Sequence, residues 1–162
     1  MKVDDIVIVA NLGEMKVYKA TPRDLEAEAG LKEDYIKLDL INDIDFIEAH
    51  KRLKDMVSDM SGRFKSDAAK DGAGTPQANG LIQEIEDELI ELLSSEIMET
   101  IKENNPPKYF LSIPETIFKR VTENIFKDHI VKEKLFRFVR EDLVKVDKTK
   151  LPQIFRDRGE HF

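Results

Sequence analysis

Hydrophobic residues between positions 79 and 103 recur at steps of three or four, which is the spacing of one face of an α-helix. The repeat runs through Ile82, Ile85, Leu89, Leu93, Ile97 and Ile101. Carboxylates occupy much of the opposite face. We predict a helix that Asn79 caps through its side-chain oxygen and that residues 104–107, Asn-Asn-Pro-Pro, bring to an end. A helix of this length spans a small domain, so strands are expected to pack along it.

Other hydrophobic patterns predict five strands. Residues 6–10 form an unbroken apolar run, as in a strand that is buried on both faces. Residues 15–20 alternate and pair with the first strand through a turn at Gly13. Residues 35–40 alternate between apolar and polar positions, with Leu40 on the apolar face, which favours an edge strand. Residues 109–113 and part of 135–146 supply the last two strands.

Helical spacing also recurs outside the long helix. Residues 46–60 and 117–126 each carry an amphipathic stripe, and Pro114 suits the first position of the second of these helices. A last short helix follows Thr149, which we expect to cap it, and has Pro152 in its first turn. A three-stranded meander followed by helix, strand, helix, strand and helix predicts a mixed α/β fold.

The right-handed crossover rule places the long helix across one face of the sheet, with the fourth strand parallel to the first. We therefore predict an RNase H-like three-layer fold with a mixed five-stranded sheet of order 3-2-1-4-5, in which strand 2 is antiparallel. One domain covers residues 1–162. The chain has no cysteine, no signal-peptide pattern and no apolar run that spans a membrane. We therefore predict a cytoplasmic protein, and we expect it to hold no metal or other cofactor.

The segment from about 58 to 80 loses all hydrophobic periodicity and is rich in glycine, so we predict a mobile loop there. The formal charge of −7 opposes a broad grip on nucleic acid, yet this segment carries local cations. Its basic and flexible positions are the candidate RNA- or partner-binding residues: Arg63, Lys65, Lys70, Gly72, Gly74 and Gln77. Aspartates interleave with these bases, which favours the alternative interpretation of a solvated surface.

Several short motifs in this order resemble the bacterial host-attachment-protein family. They are Ser-Gly-Arg-Phe-Lys-Ser-Asp at 61–67, Tyr-Phe-Leu-Ser-Ile-Pro at 109–114 and Glu-Asp-Leu-Val at 141–144. That family is similar to the middle domain of archaeal and eukaryotic release factors and of Pelota, which implies the RNase H-like fold and a site at the ribosome. The Gly-Gly-Gln of release factors is replaced here by Gly-Ala-Gly-Thr-Pro-Gln at 72–77, so the resemblance does not extend to peptidyl-tRNA hydrolysis.

Three functions remain open at this point. The first is a non-catalytic binding or regulatory module with a protein partner, and the second is a module that binds the ribosome or structured RNA. The third is a hydrolase in which Gln77 positions water and Asp67 or Asp71 acts as the base, although nothing in the sequence fixes those carboxylates as a pair.

Overall fold

The predicted five-stranded sheet is present in the computed structural model, which describes residues 1–23, 36–46, 51 and 74–162. For residues 74–79 and 81 only the backbone is described. The strands are β1 (Ile6–Ala10), β2 (Glu14–Pro22), β3 (Ile36–Asp45), β4 (Tyr109–Ser112) and β5 (Leu135–Val139). Their order is β3-β2-β1-β4-β5, with β2 antiparallel to both neighbours and β1, β4 and β5 parallel. This order and these directions confirm the prediction.

Helices cover both faces of the sheet. They are α1 (Gly74–Asn104), α2 (Glu115–Ile125), α3 (His129–Lys134) and α4 (Leu151–Arg158), and a 3-10 turn at Lys148–Lys150 leads into α4. Alternate residues of β1 enter two separate cores. Ile6 and Ile8 pack with α1 and α2, whereas Val7 and Val9 pack with α4. The central strand is therefore apolar on both faces, as its unbroken hydrophobic run predicts.

The apolar stripe of α1 packs against the sheet over most of its length. Leu89 is 5% exposed, and Leu93, Ile97 and Ile101 are fully buried, but Ile82 is 59% exposed, so its predicted place in the core is wrong. Asn105 takes a positive φ of 41° just after the helix, a conformation that asparagine tolerates, and its N–H donates to the Ile101 carbonyl at 2.9 Å. The predicted C-terminal stop is confirmed.

The predicted N-terminus of this helix is wrong. The helix begins at Gly74, so Asn79 lies inside it and does not cap it, and residues 74–80 are not part of a loop. Pro76 is compatible with this earlier start because the first four N–H groups of a helix have no intrahelical acceptor. The rest of the predicted loop, residues 58–73, lies outside the described residues, as does nearly all of the predicted helix at 46–60.

Two further details differ from the predictions. The register of β2 and β3 shifts between Val17 and Tyr18, so β3 carries one extra residue there, and Leu40 is 48% exposed rather than buried. The caps of the C-terminal helices also differ: Pro114 precedes α2 as its N-cap residue, and Thr149 lies in the 3-10 turn that Asp147 caps. The predicted edge position of β3 is confirmed.

Candidate functional site

The sequence-predicted binding residues fall largely outside the described chain. Arg63, Lys65, Lys70 and Gly72 lie there, as do Asp67 and Asp71 of the hydrolase hypothesis. Gly74 and Gln77 are at the start of α1. Their proposed roles therefore stay predictions.

The carboxyl ends of β1 and β4 are the usual place for a ligand in an open α/β sheet, and here that edge is occupied by internal hydrogen bonds. The Asn11 side-chain amide donates to Asp142 at 2.9 Å, and the Ser112 hydroxyl donates to the carbonyl of Glu141 at 2.6 Å. Asn11 also accepts from the backbone N–H of Gly13 at 2.7 Å, which closes the hairpin. These polar groups are engaged in holding the segment after β5 against the β1–β2 turn.

Carboxylates gather beside this edge on β2 and β3. Burial raises the pKa of Glu14, and so does its side-chain hydrogen bond with the Asp43 carboxyl group, while Lys16 lies 3.9 Å away and partly offsets the shift. No group of three or more acidic or histidine side chains in the described ranges is arranged to hold a metal ion. We assign no chemistry to this cluster.

An opening lies at the other end of the parallel strands, where β4 and β5 begin. It is a cavity of about 530 Å³ between the sheet and α4. We call it the α4 cavity. Its walls come from segments that are far apart in the chain: Met1, Ile36, Phe110, Phe136, Arg137, Thr149, Pro152, Phe155 and Arg156.

Three phenylalanines form the apolar part of the α4 cavity. The Phe110 ring meets the rings of Phe136 and Phe155 edge to face, with centroids 5.6 and 5.5 Å apart. Phe110 and Phe155 are buried, but Phe136 is 41% exposed. The ammonium of Lys108 lies 4.1 Å from the centre of the Phe136 ring, a cation–π contact. Phe136 is thus a partly open aromatic ring beside a cation.

Two arginines add positive charge to the same walls. Arg137 donates from Nη1 to the carbonyl oxygens of Phe155 at 3.2 Å and of Arg156 at 3.0 Å, at the negative end of α4. Its buried Nε has no hydrogen-bond partner among the described residues. Arg156 is exposed. Neither guanidinium forms a salt bridge with a carboxylate in the described part of the chain, so the charge at the cavity is not neutralised by direct pairing.

Acidic and basic residues are concentrated on opposite faces of the sheet. Between positions 82 and 103, α1 has eight carboxylates and one lysine. On the opposite layer, positions 145–158 have five basic and two acidic residues. We call the exposed cations Lys148, Lys150 and Arg156 the basic face. None of the three forms a salt bridge with a described carboxylate, although Asp147 lies near both lysines.

No protein-family model, curated protein or solved structure matches the chain. The resemblance to the host-attachment-protein family therefore stays a prediction. None of the helices in the described ranges is long and apolar enough to cross a membrane. The α4 cavity is not apparent from the sequence because the residues of its walls are far apart in the chain.

Proposed function

We propose that this protein is a non-catalytic module that binds RNA, and that it does so in the cytoplasm with the basic face toward the RNA. The observation that carries this proposal is the separation of charge across the sheet. A total charge of −7 would repel a polyanion if it were spread evenly. Here the acidic residues of α1 and the cations near α4 lie on opposite layers.

Screening makes this separation effective. The Debye length at physiological salt is about 8 Å. Adjacent layers of secondary structure are about 10 Å apart, and α1 and α4 have the whole sheet between them. Phosphates that approach the basic face therefore interact mainly with Lys148, Lys150 and Arg156 and only weakly with the carboxylates of α1. The predicted similarity to the release-factor middle domain, with its RNase H-like fold, supports the same class of partner.

The proposal is tested by sedimentation with ribosomes and by fluorescence anisotropy with a short unstructured RNA, each across a salt series. We expect binding that weakens as salt rises. The double variant Lys148→Glu/Lys150→Glu should bind more weakly and with a flatter salt dependence, by about 0.7 in the logarithmic slope for each phosphate that the variant no longer neutralises.

A matched control is Lys119→Glu/Lys127→Glu, which makes the same change in net charge at exposed positions on the α2 layer. It should retain most of the affinity. Equal reductions in both double variants would mean that only net charge matters, and an absence of RNA binding by the parent protein would refute the proposal. A partner that survives RNase treatment in a pull-down would instead support the predicted protein-binding module.

A further inference from the structure

We propose that the α4 cavity is a binding site for one unpaired nucleotide, with the base against Phe136 and the phosphate at Arg156. This inference rests on the proposed function, since it names the part of the RNA that the protein recognises. It adds a preference for single strands, which the basic face alone does not supply.

The cavity has the size and the two kinds of wall that a nucleotide requires. A volume of about 530 Å³ lies within the range of small-ligand pockets. Phe110, Phe136 and Phe155 provide the apolar wall, and an exposed aromatic ring is the usual stacking surface for an unpaired base. The exposed fraction of Phe136, 41%, leaves ring surface for such a contact.

The charges at the cavity favour an anion rather than a neutral aromatic ligand. Arg137 is fixed by two backbone carbonyls of α4, and Arg156 is exposed at the rim; neither is salt-bridged to a described carboxylate. Lys108 lies over the Phe136 ring as well, but its charge is offset by Asp5, whose buried carboxylate is 3.9 Å away, so the anion would be bound by the two arginines. In a single nucleotide, the base would stack on the aromatic ring of this cavity and the phosphate would bind a guanidinium.

The position of the cavity connects it with the basic face. Thr149, which lies between Lys148 and Lys150, is part of the cavity wall, and Arg156 belongs to both surfaces. An RNA strand whose phosphates contact the lysines therefore passes the mouth of the cavity. A duplex has no free base to place there, because its bases are stacked and paired.

The test uses the full chain and three probes: AMP, adenosine and ribose 5-phosphate, each titrated and followed by NMR. AMP should bind at least about tenfold more tightly than either fragment. Phe136→Leu, which keeps the apolar bulk but removes the ring, should weaken AMP by about tenfold and leave ribose 5-phosphate unchanged. Arg156→Gln should weaken both phosphate-bearing probes and leave adenosine unchanged.

Arg158→Gln is the matched control for charge, because Arg158 is on the same helix but pairs with Glu141 at 3.4 Å outside the cavity. It should bind AMP like the parent protein. Equal AMP affinity in the parent and Phe136→Leu, or ribose 5-phosphate binding as tight as that of AMP, would overturn the inference.

Titrations with single-stranded and duplex RNA of one sequence separate this inference from the proposed function. Phe136→Leu should lose the preference for the single strand while its affinity for the duplex is unchanged. RNA binding that depends on Lys148 and Lys150 but not on Phe136 refutes the nucleotide site and supports the proposed function. AMP binding without RNA binding refutes the proposed function and supports the site, with a free nucleotide as its ligand.

Discussion

Gly159 packs directly against Arg137, at the point where the chain leaves α4. A Cβ atom at position 159 would lie 2.9 Å from Cδ of Arg137 and 2.2 Å from the carbonyl oxygen of Phe155. The same carbonyl accepts the hydrogen bond from Nη1 of Arg137. A residue without a side chain therefore allows the chain to close over the arginine that forms one wall of the α4 cavity.

Gly159→Ala should lower the free energy of unfolding by about 1–3 kcal/mol, because the new methyl group meets a backbone oxygen that cannot move away freely. Urea denaturation measures the change. Gly80→Ala is the matched control: nothing lies within 4 Å of its Cβ position, and it is inside α1, so it should raise stability by up to about 1 kcal/mol. Equal effects of the two substitutions would contradict the packing described for Gly159.

Leu89→Ala should lower the free energy of unfolding by about 2–5 kcal/mol, since the leucine is 5% exposed and its truncation leaves a cavity between α1 and the sheet. Urea denaturation measures the change in the free energy of unfolding, provided that both proteins have the same m-value. Ile82→Ala, on the same helix but 59% exposed, should change stability by no more than about 0.5 kcal/mol. A small effect at Leu89 would argue against the packing of α1 along the sheet.

Tyr109→Phe tests a buried hydrogen bond between β4 and α3. The Tyr109 hydroxyl donates to the carbonyl of Val131 at 2.7 Å, and burial raises the pKa of this tyrosine. Removing the hydroxyl leaves that carbonyl without its donor, at a cost of about 1–3 kcal/mol in stability. Tyr18→Phe is the comparison, because the Tyr18 hydroxyl has no hydrogen-bond partner among the described residues. We expect it to be nearly neutral in the same urea titration.

Asp128→Asn should reduce stability at neutral pH but not in acid. A hydrogen bond from Lys102 and two from the backbone N–H groups at the start of α3 hold the pKa of Asp128 below its usual value of 3.8. The unfolded chain therefore binds this proton at higher pH than the folded chain, so the stabilisation is complete above that value and disappears as the pH falls through the lower folded pKa. Asparagine keeps an oxygen that can cap α3.

The measurement is the urea midpoint of both proteins from about pH 7 down to about pH 2. The two curves should converge at the acid end. Asp157→Asn provides a control at an exposed carboxylate that makes no hydrogen bond or salt bridge among the described residues. A gap between parent and Asp128→Asn that stays constant with pH would show that the charge of Asp128 is not the cause.

The fold was predictable because its main elements carry strong periodic patterns. The stripe from Ile85 to Ile101 and the apolar run of β1 indicate a helix and a central strand by themselves, and a helical crossover is the usual connection between parallel strands such as β1 and β4. The first turns of α1 were not predictable, because Gly74 and Pro76 are poor helix formers in general but are tolerated at a helix N-terminus. Leu40 shares a face of β3 with the buried Leu38, but it lies on the edge strand, and alternation predicts the face of a side chain and not how far a neighbouring layer covers it.

The candidate site was not predictable from the sequence. Phe110, Phe136 and Phe155 belong to three elements, and each one alone has the pattern of a core residue. Only the tertiary arrangement shows that Phe136 is partly open and that Arg156 lies at the same cavity. The basic residues at 145–158 are visible in the sequence, but their separation from the acidic residues of α1 depends on which face of the sheet each helix covers.

The parallel pairing of β1 with β4 also affects when the centre of the sheet can form during translation. Ile6 lies opposite Tyr109, so β1 leaves the ribosome about one hundred residues before its parallel neighbour. The β1–β2 hairpin forms from local contacts, but the centre of the finished sheet is an open edge until β4 has been synthesised. An apolar open edge pairs readily with other chains. The nascent protein is therefore most exposed to misassembly before Ser112 emerges.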